Sequence, residues 1–164
     1  MTSKAIDGFI ARIIAGDSSV VADLLNIGID LDTVGSNGRS PLSTAASEGF
    51  VEIVRSLLGS GASVNAAGEY GLTALHEAAT NGHVQVALAL LGNGATVDAT
   101  TVWGSTPLMC AAALGQIDVA RVLLEHGADI TLKDKRGGTA LDIACEKGED
   151  EMAAFLEAAA GHRT

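Results

Sequence analysis

A strict period of 33 residues runs through most of this chain. It is carried by a glycine, a hydroxyl residue, a leucine and a second glycine, each of which recurs in a register of its own. The recurring residues are Gly38, Gly71, Gly104 and Gly137; Ser40, Thr73, Thr106 and Thr139; Leu42, Leu75, Leu108 and Leu141; and Gly49, Gly82, Gly115 and Gly148. Such a period indicates one supersecondary unit stacked on copies of itself, because a single unit cannot bury its own apolar face.

The period divides the 164 residues into five units without a separate linker. The predicted units cover residues 1–34, 35–67, 68–100, 101–133 and 134–164. The first unit keeps the register but lacks the hydroxyl residue, and the last replaces a recurring leucine with Glu157. Because the outer faces of a stack meet water, we interpret these two units as an N-terminal and a C-terminal cap, and we expect a complete array.

The third unit shows how one repeat is expected to fold. Gly71 lies in a turn and can adopt a positive φ, and Thr73 offers its hydroxyl to the free amides at the start of a helix. Leu75 begins a short apolar face at helical spacing, which ends at Gly82. A second, largely apolar helix follows and ends at Gly94. Each repeat is therefore predicted to be a helix, a tight turn, a second helix and a hairpin-like connection.

These residues resemble the ankyrin repeat. The family pattern, roughly G-x-T-P-L-H-x-A-A-x-x-G-H, is matched in the third unit by residues 71–83. The second and fourth units carry Ser40-Pro41-Leu42 and Thr106-Pro107-Leu108, and the G-A-D-V-N run appears as Gly61-Ala62-Ser63-Val64-Asn65. The resemblance covers nearly the whole chain. It implies an all-α fold, an ankyrin-repeat solenoid of paired antiparallel helices with hairpin-like connecting loops.

Composition limits the partners that the chain can have. Twenty acidic residues against ten basic ones give a net charge of −10, which argues against nucleic acid and against an anionic membrane surface. Neither a signal-peptide pattern nor a long apolar stretch is present in the sequence. We therefore expect a protein of the cytoplasm or of another reducing intracellular compartment. Cys110 and Cys145 are predicted to be buried free thiols, with a disulfide as the alternative.

The sequence contains no pattern that indicates catalysis, a cofactor or a metal. The four histidines and two cysteines lack zinc-ligand spacing, and the glycine pairs at residues 59–61 and 92–94 follow helices without the lysine of a phosphate loop. The resemblance implies that His76 bonds backbone groups of the next loop. It also places Asn65 at an asparagine that is hydroxylated in some family members, although Ser63 and Asp98 depart from the usual context. We expect no enzyme, no cofactor and no metal.

The resemblance implies that a partner protein binds the hairpin tips and the exposed side of the first helices, on a concave face. The corresponding tip residues are Arg39, Glu69, Tyr70, Leu72, Val102, Trp103, Ser105, Lys135 and Arg136, and the helix residues include Thr80, Asn81, Met109, Ala113, Leu114, Glu146 and Lys147. Tyr70 and Trp103 are the chain's only tyrosine and tryptophan, two residue types enriched in interface hot spots. We predict an apolar centre formed by Tyr70, Leu72, Val102, Trp103 and Leu114. The alternative is that the two rings only stack along the tips and shield the backbone.

The sequence therefore favours a non-catalytic protein–protein interaction module that is itself a monomer and binds an unidentified protein. The alternative is an assembly or regulatory subunit that stabilises or inhibits a dedicated partner, or self-associates. Positive charge is concentrated at Arg39, Lys133, Lys135 and Arg136, whereas the remaining surface, with Glu77 among others, is expected to be acidic. The charged surface is either merely solvated or attracts a basic segment of the partner, in which case salt slows association.

Overall fold

The computed structural model describes residues 3–161, in which ten α-helices form five consecutive pairs. The first helices of the pairs are α1 (Ser3–Ile14), α3 (Pro41–Glu48), α5 (Ala74–Asn81), α7 (Pro107–Ala113) and α9 (Ala140–Lys147). The second helices are α2 (Val20–Ile27), α4 (Val51–Gly59), α6 (Val84–Gly92), α8 (Ile117–Glu125) and α10 (Asp150–Gly161). A short 3-10 turn (Glu69–Gly71) precedes α5, and within the described residues extended pairing is limited to one isolated bridge between Ala67 and Thr73. The all-α repeat fold is confirmed.

The recurring hydroxyl residues start the first helices, as the sequence predicts. In three repeats the hydroxyl accepts a hydrogen bond from the amide three residues later, which satisfies one of the free donors of a helix N-terminus. These bonds run from Ser43 to Ser40 (3.2 Å), from Met109 to Thr106 (3.3 Å) and from Asp142 to Thr139 (3.2 Å). Pro41 and Pro107 occupy the first helical position, where a missing amide hydrogen costs nothing.

The helices lie in two layers. Each first helix packs on the next first helix and each second helix on the next second helix, and the contacts between first helices are the more extensive. The first helices therefore form the more closely packed layer of the stack. Small side chains permit this close packing, as expected from the low aromatic content: the fully buried alanines of the first helices are Ala45, Ala46, Ala78, Ala79, Ala111, Ala112 and Ala144.

Polar side chains link each connecting loop to the next. Asp32 accepts a hydrogen bond from the amide of Ser63 (2.9 Å), and one repeat later Asn65 accepts one from the amide of Thr96 (2.8 Å). The Asn65 side chain also donates to the carbonyl oxygen of Gly94 (3.2 Å). Asn65 therefore has a structural role between two repeats, because it satisfies a donor and an acceptor of the following loop.

The cysteines differ in their surroundings. Cys110 is half-buried and Cys145 is exposed, and neither forms a disulfide. The prediction that both are buried is therefore wrong for Cys145. Its equivalent Ala112 is covered by the following repeat, whereas residues 3–161 contain no repeat after α10. Within those residues, no helix is long and apolar enough to cross a membrane.

Candidate functional site

Backbone hydrogen bonds join successive hairpin tips into one row. In each case an amide of one tip donates to a carbonyl oxygen of the preceding tip. The bonds run from Glu69 to Gly38 (2.8 Å), from Val102 to Tyr70 (2.8 Å) and from Lys135 to Trp103 (2.9 Å). Because these bonds use only backbone groups, they fix the spacing of the tips and leave the tip side chains available for other contacts.

Two tips are also held internally by the side chain of their first residue. Asp134 accepts hydrogen bonds from the amides of Gly138 and Arg136, both at 2.9 Å, and these bonds lower the pKa of Asp134. One repeat earlier, the Thr101 hydroxyl accepts from the amides of Ser105 (3.2 Å) and Trp103 (3.3 Å). The tip that carries the tryptophan is therefore ordered before any partner binds.

The tip that carries Tyr70 is built differently. Its first residue is Gly68, which has no side chain to bond the turn. A Cβ at position 68 would clash with the carbonyl oxygen of Gly38. Tyr70 adopts φ 60°, which is uncommon for a residue other than glycine. A side-chain hydrogen bond with Glu69 raises the pKa of Tyr70 above its usual value. This local backbone directs the phenol ring towards the next tip.

Tyr70 and Trp103 form a stacked pair on the outside of the row. Their ring centroids are 5.1 Å apart and their planes are inclined by 34°. Tyr70 nevertheless remains 50% exposed and Trp103 54% exposed, so stacking covers only part of each ring. Val102 and Leu114 are also about half-exposed, whereas Leu72 is half-buried. The two rings therefore stack on each other, and about half of each ring remains in contact with solvent.

The remaining predicted site residues differ in their exposure. Glu69, Asn81, Lys135 and Arg136 are exposed, and Arg39, Thr80, Ser105 and Ala113 are half-buried. Met109 is only 2% exposed, and its sulfur accepts a hydrogen bond from the amide of Thr106 at 3.4 Å. The placement of Met109 on the surface is therefore corrected: it lies at the third helical position, whose side chain turns back to the helix start.

Arg39 is engaged within the molecule and is not a free cation. Its Nε lies 2.8 Å from Glu77 Oε1 and its Nη2 lies 3.0 Å from Glu77 Oε2. Glu77 is only 4% exposed, so its expected contribution to the acidic surface is wrong. A buried carboxylate needs a partner, and the guanidinium of the preceding tip supplies one in bidentate form. The pair ties the second repeat to the third.

A shallow pocket of about 240 Å³ separates the last two tips. It is lined by Trp103, Ser105, Asp134, Lys135 and Arg136. A second pocket of about 170 Å³ shares three of these residues and adds Met109, Cys110, Ala113, Ile143 and Lys147. Both are smaller than the cavities that hold a whole small-molecule ligand and correspond to a single inserted side chain. Asp134 is absent from the predicted site, although its position, 33 residues after Thr101, indicates that it holds a tip.

Two titratable groups near this surface, His76 and Cys110, have pKa values that burial shifts towards the neutral form. His76 is fully buried, and its Nδ1 accepts from the Thr73 amide, so Nε2 carries the proton and donates to the Ser105 carbonyl oxygen at 3.1 Å. This confirms the structural role expected of His76, and burial lowers the pKa of its ring. Burial raises the pKa of the Cys110 thiol to about 11. Among the described residues, no group of three or more His, Cys, Asp or Glu side chains could hold a metal ion.

Comparison with protein families gives a match over almost the entire chain. Residues 9–101 and residues 89–162 match a family model described as ankyrin repeats (3 copies). The two matched segments overlap and together include all the hairpin tips described above. No curated protein matches the chain significantly.

Proposed function

The chain belongs to the ankyrin-repeat family, and we propose that it binds a partner protein through its hairpin tips and the exposed side of its first helices. Ankyrin repeats are generally protein–protein interaction modules and are typically non-catalytic. The observation that carries the proposal is the stacked pair of Tyr70 and Trp103, two half-exposed aromatic rings on neighbouring tips. Exposed apolar patches often mark interaction sites, and tyrosine and tryptophan are enriched among the residues that contribute most to binding.

Order in the unbound protein supports the same function. The tip row is fixed by backbone hydrogen bonds, and the turn that carries Trp103 is held by Thr101. A surface that is ordered before binding loses little conformational entropy on association, so more of the contact energy contributes to affinity. Val102, which precedes Trp103 in the chain, and Leu114 are two further half-exposed apolar residues of the predicted site.

Replacing Trp103 with alanine tests the proposal. We expect affinity for the partner to fall by about 2 kcal/mol or more, because the indole is the largest exposed apolar group of the surface. The partner is captured from a lysate of the native host, identified, purified and titrated against the wild-type chain and the variant. The fold should survive, since the hydrogen bonds of Trp103 to Thr101 and Lys135 use backbone atoms.

Leu88→Ala is the matched control, because Leu88 is an exposed apolar residue on α6, in the layer of second helices. Its affinity for the partner should equal that of the wild type. Equal binding by Trp103→Ala and Leu88→Ala, or unfolding of Trp103→Ala, would remove the support for the proposed function.

One observation favours the alternative of an assembly or self-associating subunit. Ile14, Leu25 and Ile27 are each about half-exposed in the first helix pair. In the part of the chain that the structure describes, no repeat precedes this pair, so these side chains meet solvent. A second copy of the chain, or a dedicated partner that the subunit stabilises, would remove them from water.

A further inference from the structure

The last hairpin tip and α9 carry a local charge opposite to that of the whole chain. Four of the ten lysines and arginines fall between residues 133 and 147, in a chain with twice as many acidic residues as basic ones. They are Lys133, Lys135, Arg136 and Lys147, and all four are exposed. The net charge of the molecule therefore does not describe the electrostatics of this end of the array.

The same stretch also holds three acidic residues, Asp134, Asp142 and Glu146, so its net charge is +1 in a chain whose net charge is −10. The Asp134 side chain is only 6% exposed, and its Oδ1 accepts hydrogen bonds from the amides of both Gly138 and Arg136. Arg136 reaches Asp134 and Glu146 only at 3.4 Å, which is longer than the roughly 2.7–2.9 Å of a strong charge-assisted bond. The guanidinium therefore keeps donors that a carboxylate from outside the chain can accept.

The basic groups lie directly beside the exposed indole. Trp103, Lys135 and Arg136 line one pocket, and Arg136 also lines the adjoining pocket with Lys147. We name these four residues and Ser105, which lines both pockets, the Trp103–Arg136 patch. An occupant that complements the whole patch must present an apolar side chain next to carboxylates, since half of the indole is exposed and Arg136 makes only long contacts with carboxylates of its own chain.

We propose that the Trp103–Arg136 patch binds an acidic segment of the partner protein. An apolar side chain of that segment packs against Trp103, and flanking carboxylates pair with Arg136, Lys135 and Lys147. Exposed Glu69, two tips earlier in the row, repels the same segment, so the acidic part is confined to the last two tips. This inference rests on the proposed function and specifies the chemistry of its partner.

Short synthetic peptides provide a direct probe of the patch. One peptide combines glutamates with a central phenylalanine; matched peptides replace the phenylalanine with alanine, or the glutamates with lysine or serine. The full chain is titrated with each by fluorescence anisotropy, and the indole resonance of Trp103 is followed by NMR. We expect the acidic peptide with phenylalanine to bind tightest, to shift the indole resonance and to weaken as salt rises.

Charge reversal at the patch supplies the decisive comparison. In the double variant K135E/R136E, affinity for the acidic peptide should fall roughly tenfold or more, because attraction becomes repulsion. Arg55→Glu is the matched control, since Arg55 is an exposed cation on α4 in the other layer, and its affinity should stay within about twofold of the wild type. The neutral variant K135Q/R136Q should have an affinity for the acidic peptide between those of the wild type and K135E/R136E. It replaces K135E/R136E if thermal denaturation shows that the charge-reversed variant does not fold.

The outcomes separate this inference from the proposed function. If the natural partner is lost in Trp103→Ala but binds K135E/R136E as tightly as the wild type, the function stands and the acidic segment is refuted. Tighter binding of the lysine peptide, displacement by a DNA oligonucleotide, or a Kd weaker than about 1 mM for the acidic peptide also refutes it. A partner that binds wild type and Trp103→Ala equally refutes the proposed function.

Discussion

At the third position of the first helices, chemically different side chains satisfy the same local requirement. Ser43, His76, Met109 and Asp142 each contact the hydroxyl residue that begins their helix, through a hydroxyl, an imidazole nitrogen, a thioether and a carboxylate. Of these four side chains, His76 also bonds the next loop, where its Nε2 donates to the Ser105 carbonyl oxygen. The helix start therefore tolerates variation at this position, whereas the link between repeats depends on the imidazole.

His76 should make the fold sensitive to mild acid. Because burial lowers its pKa, the unfolded chain binds a proton that the folded chain does not, and stability is lost as pH falls below about 6.5. We expect the free energy of unfolding to decrease by at most about 1.4 kcal/mol per pH unit from this group. Urea denaturation between about pH 7.5 and 5.5 measures the slope.

His76→Gln should reduce that slope, at the cost of lower stability at neutral pH. His126→Gln is the control, since His126 is exposed at the end of α8. The interpretation is wrong if the His76 variant loses stability with falling pH as steeply as the wild type does.

At the scale of the element, the hairpin tips reach similar positions by different means. Asp134 and Thr101 bond their own turns, and the turn after Gly35 is bonded from outside by Asp7 of α1, which accepts from the amide of Ser36 at 2.7 Å. The tip that starts at Gly68 lacks a side chain at its first residue to bond the turn, and Tyr70 in this tip has a positive φ. The most unusual backbone of the row thus supports half of the aromatic pair.

Gly68→Ala should destabilise the protein and disturb the aromatic pair. A Cβ at this position meets the Gly38 carbonyl oxygen, so the tip that carries Tyr70 must move away from the tip that carries Gly38. We expect a loss of about 1–3 kcal/mol, measured by chemical denaturation, together with a shifted Trp103 indole resonance.

Gly92→Ala is the control for this change. Gly92 lies at the end of α6, and a Cβ there meets nothing within 4 Å, so alanine should be neutral or stabilise the helix by up to about 1 kcal/mol. A Gly68 variant as stable as the wild type would show that the close approach of the tips is not required.

At the scale of the whole molecule, long-range order is built from contacts between neighbouring repeats. The Arg39–Glu77 pair, the bond from His76 to Ser105 and the bonds between tips each join one repeat to the next. Such an array has no single central core, so its surface is defined by the row of tips and by the first helices. Charge is divided along that row, with Glu69 on one tip and Lys135 and Arg136 on the last.

We predict that the chain is a monomer in solution. A net charge of −10 makes copies repel one another, and half-exposed Ile14, Leu25 and Ile27 offer only a small apolar area. Light scattering over a concentration series, at low and moderate salt, should give a constant mass. A mass that doubles with concentration and returns to that of the monomer in Ile27→Glu would instead favour the self-associating alternative.

The 33-residue period alone determined the repeat unit and the helix starts, because these follow from local sequence. It also placed Tyr70 and Trp103 on neighbouring tips. It could not reveal that Met109 turns inwards, that Arg39 pairs with Glu77, or that Tyr70 takes a positive φ. The Met109 contact is local to its helix start, whereas the other two features arise from contacts between repeats or from close backbone approach. Only the packing of neighbouring repeats decides which polar groups stay available to a partner.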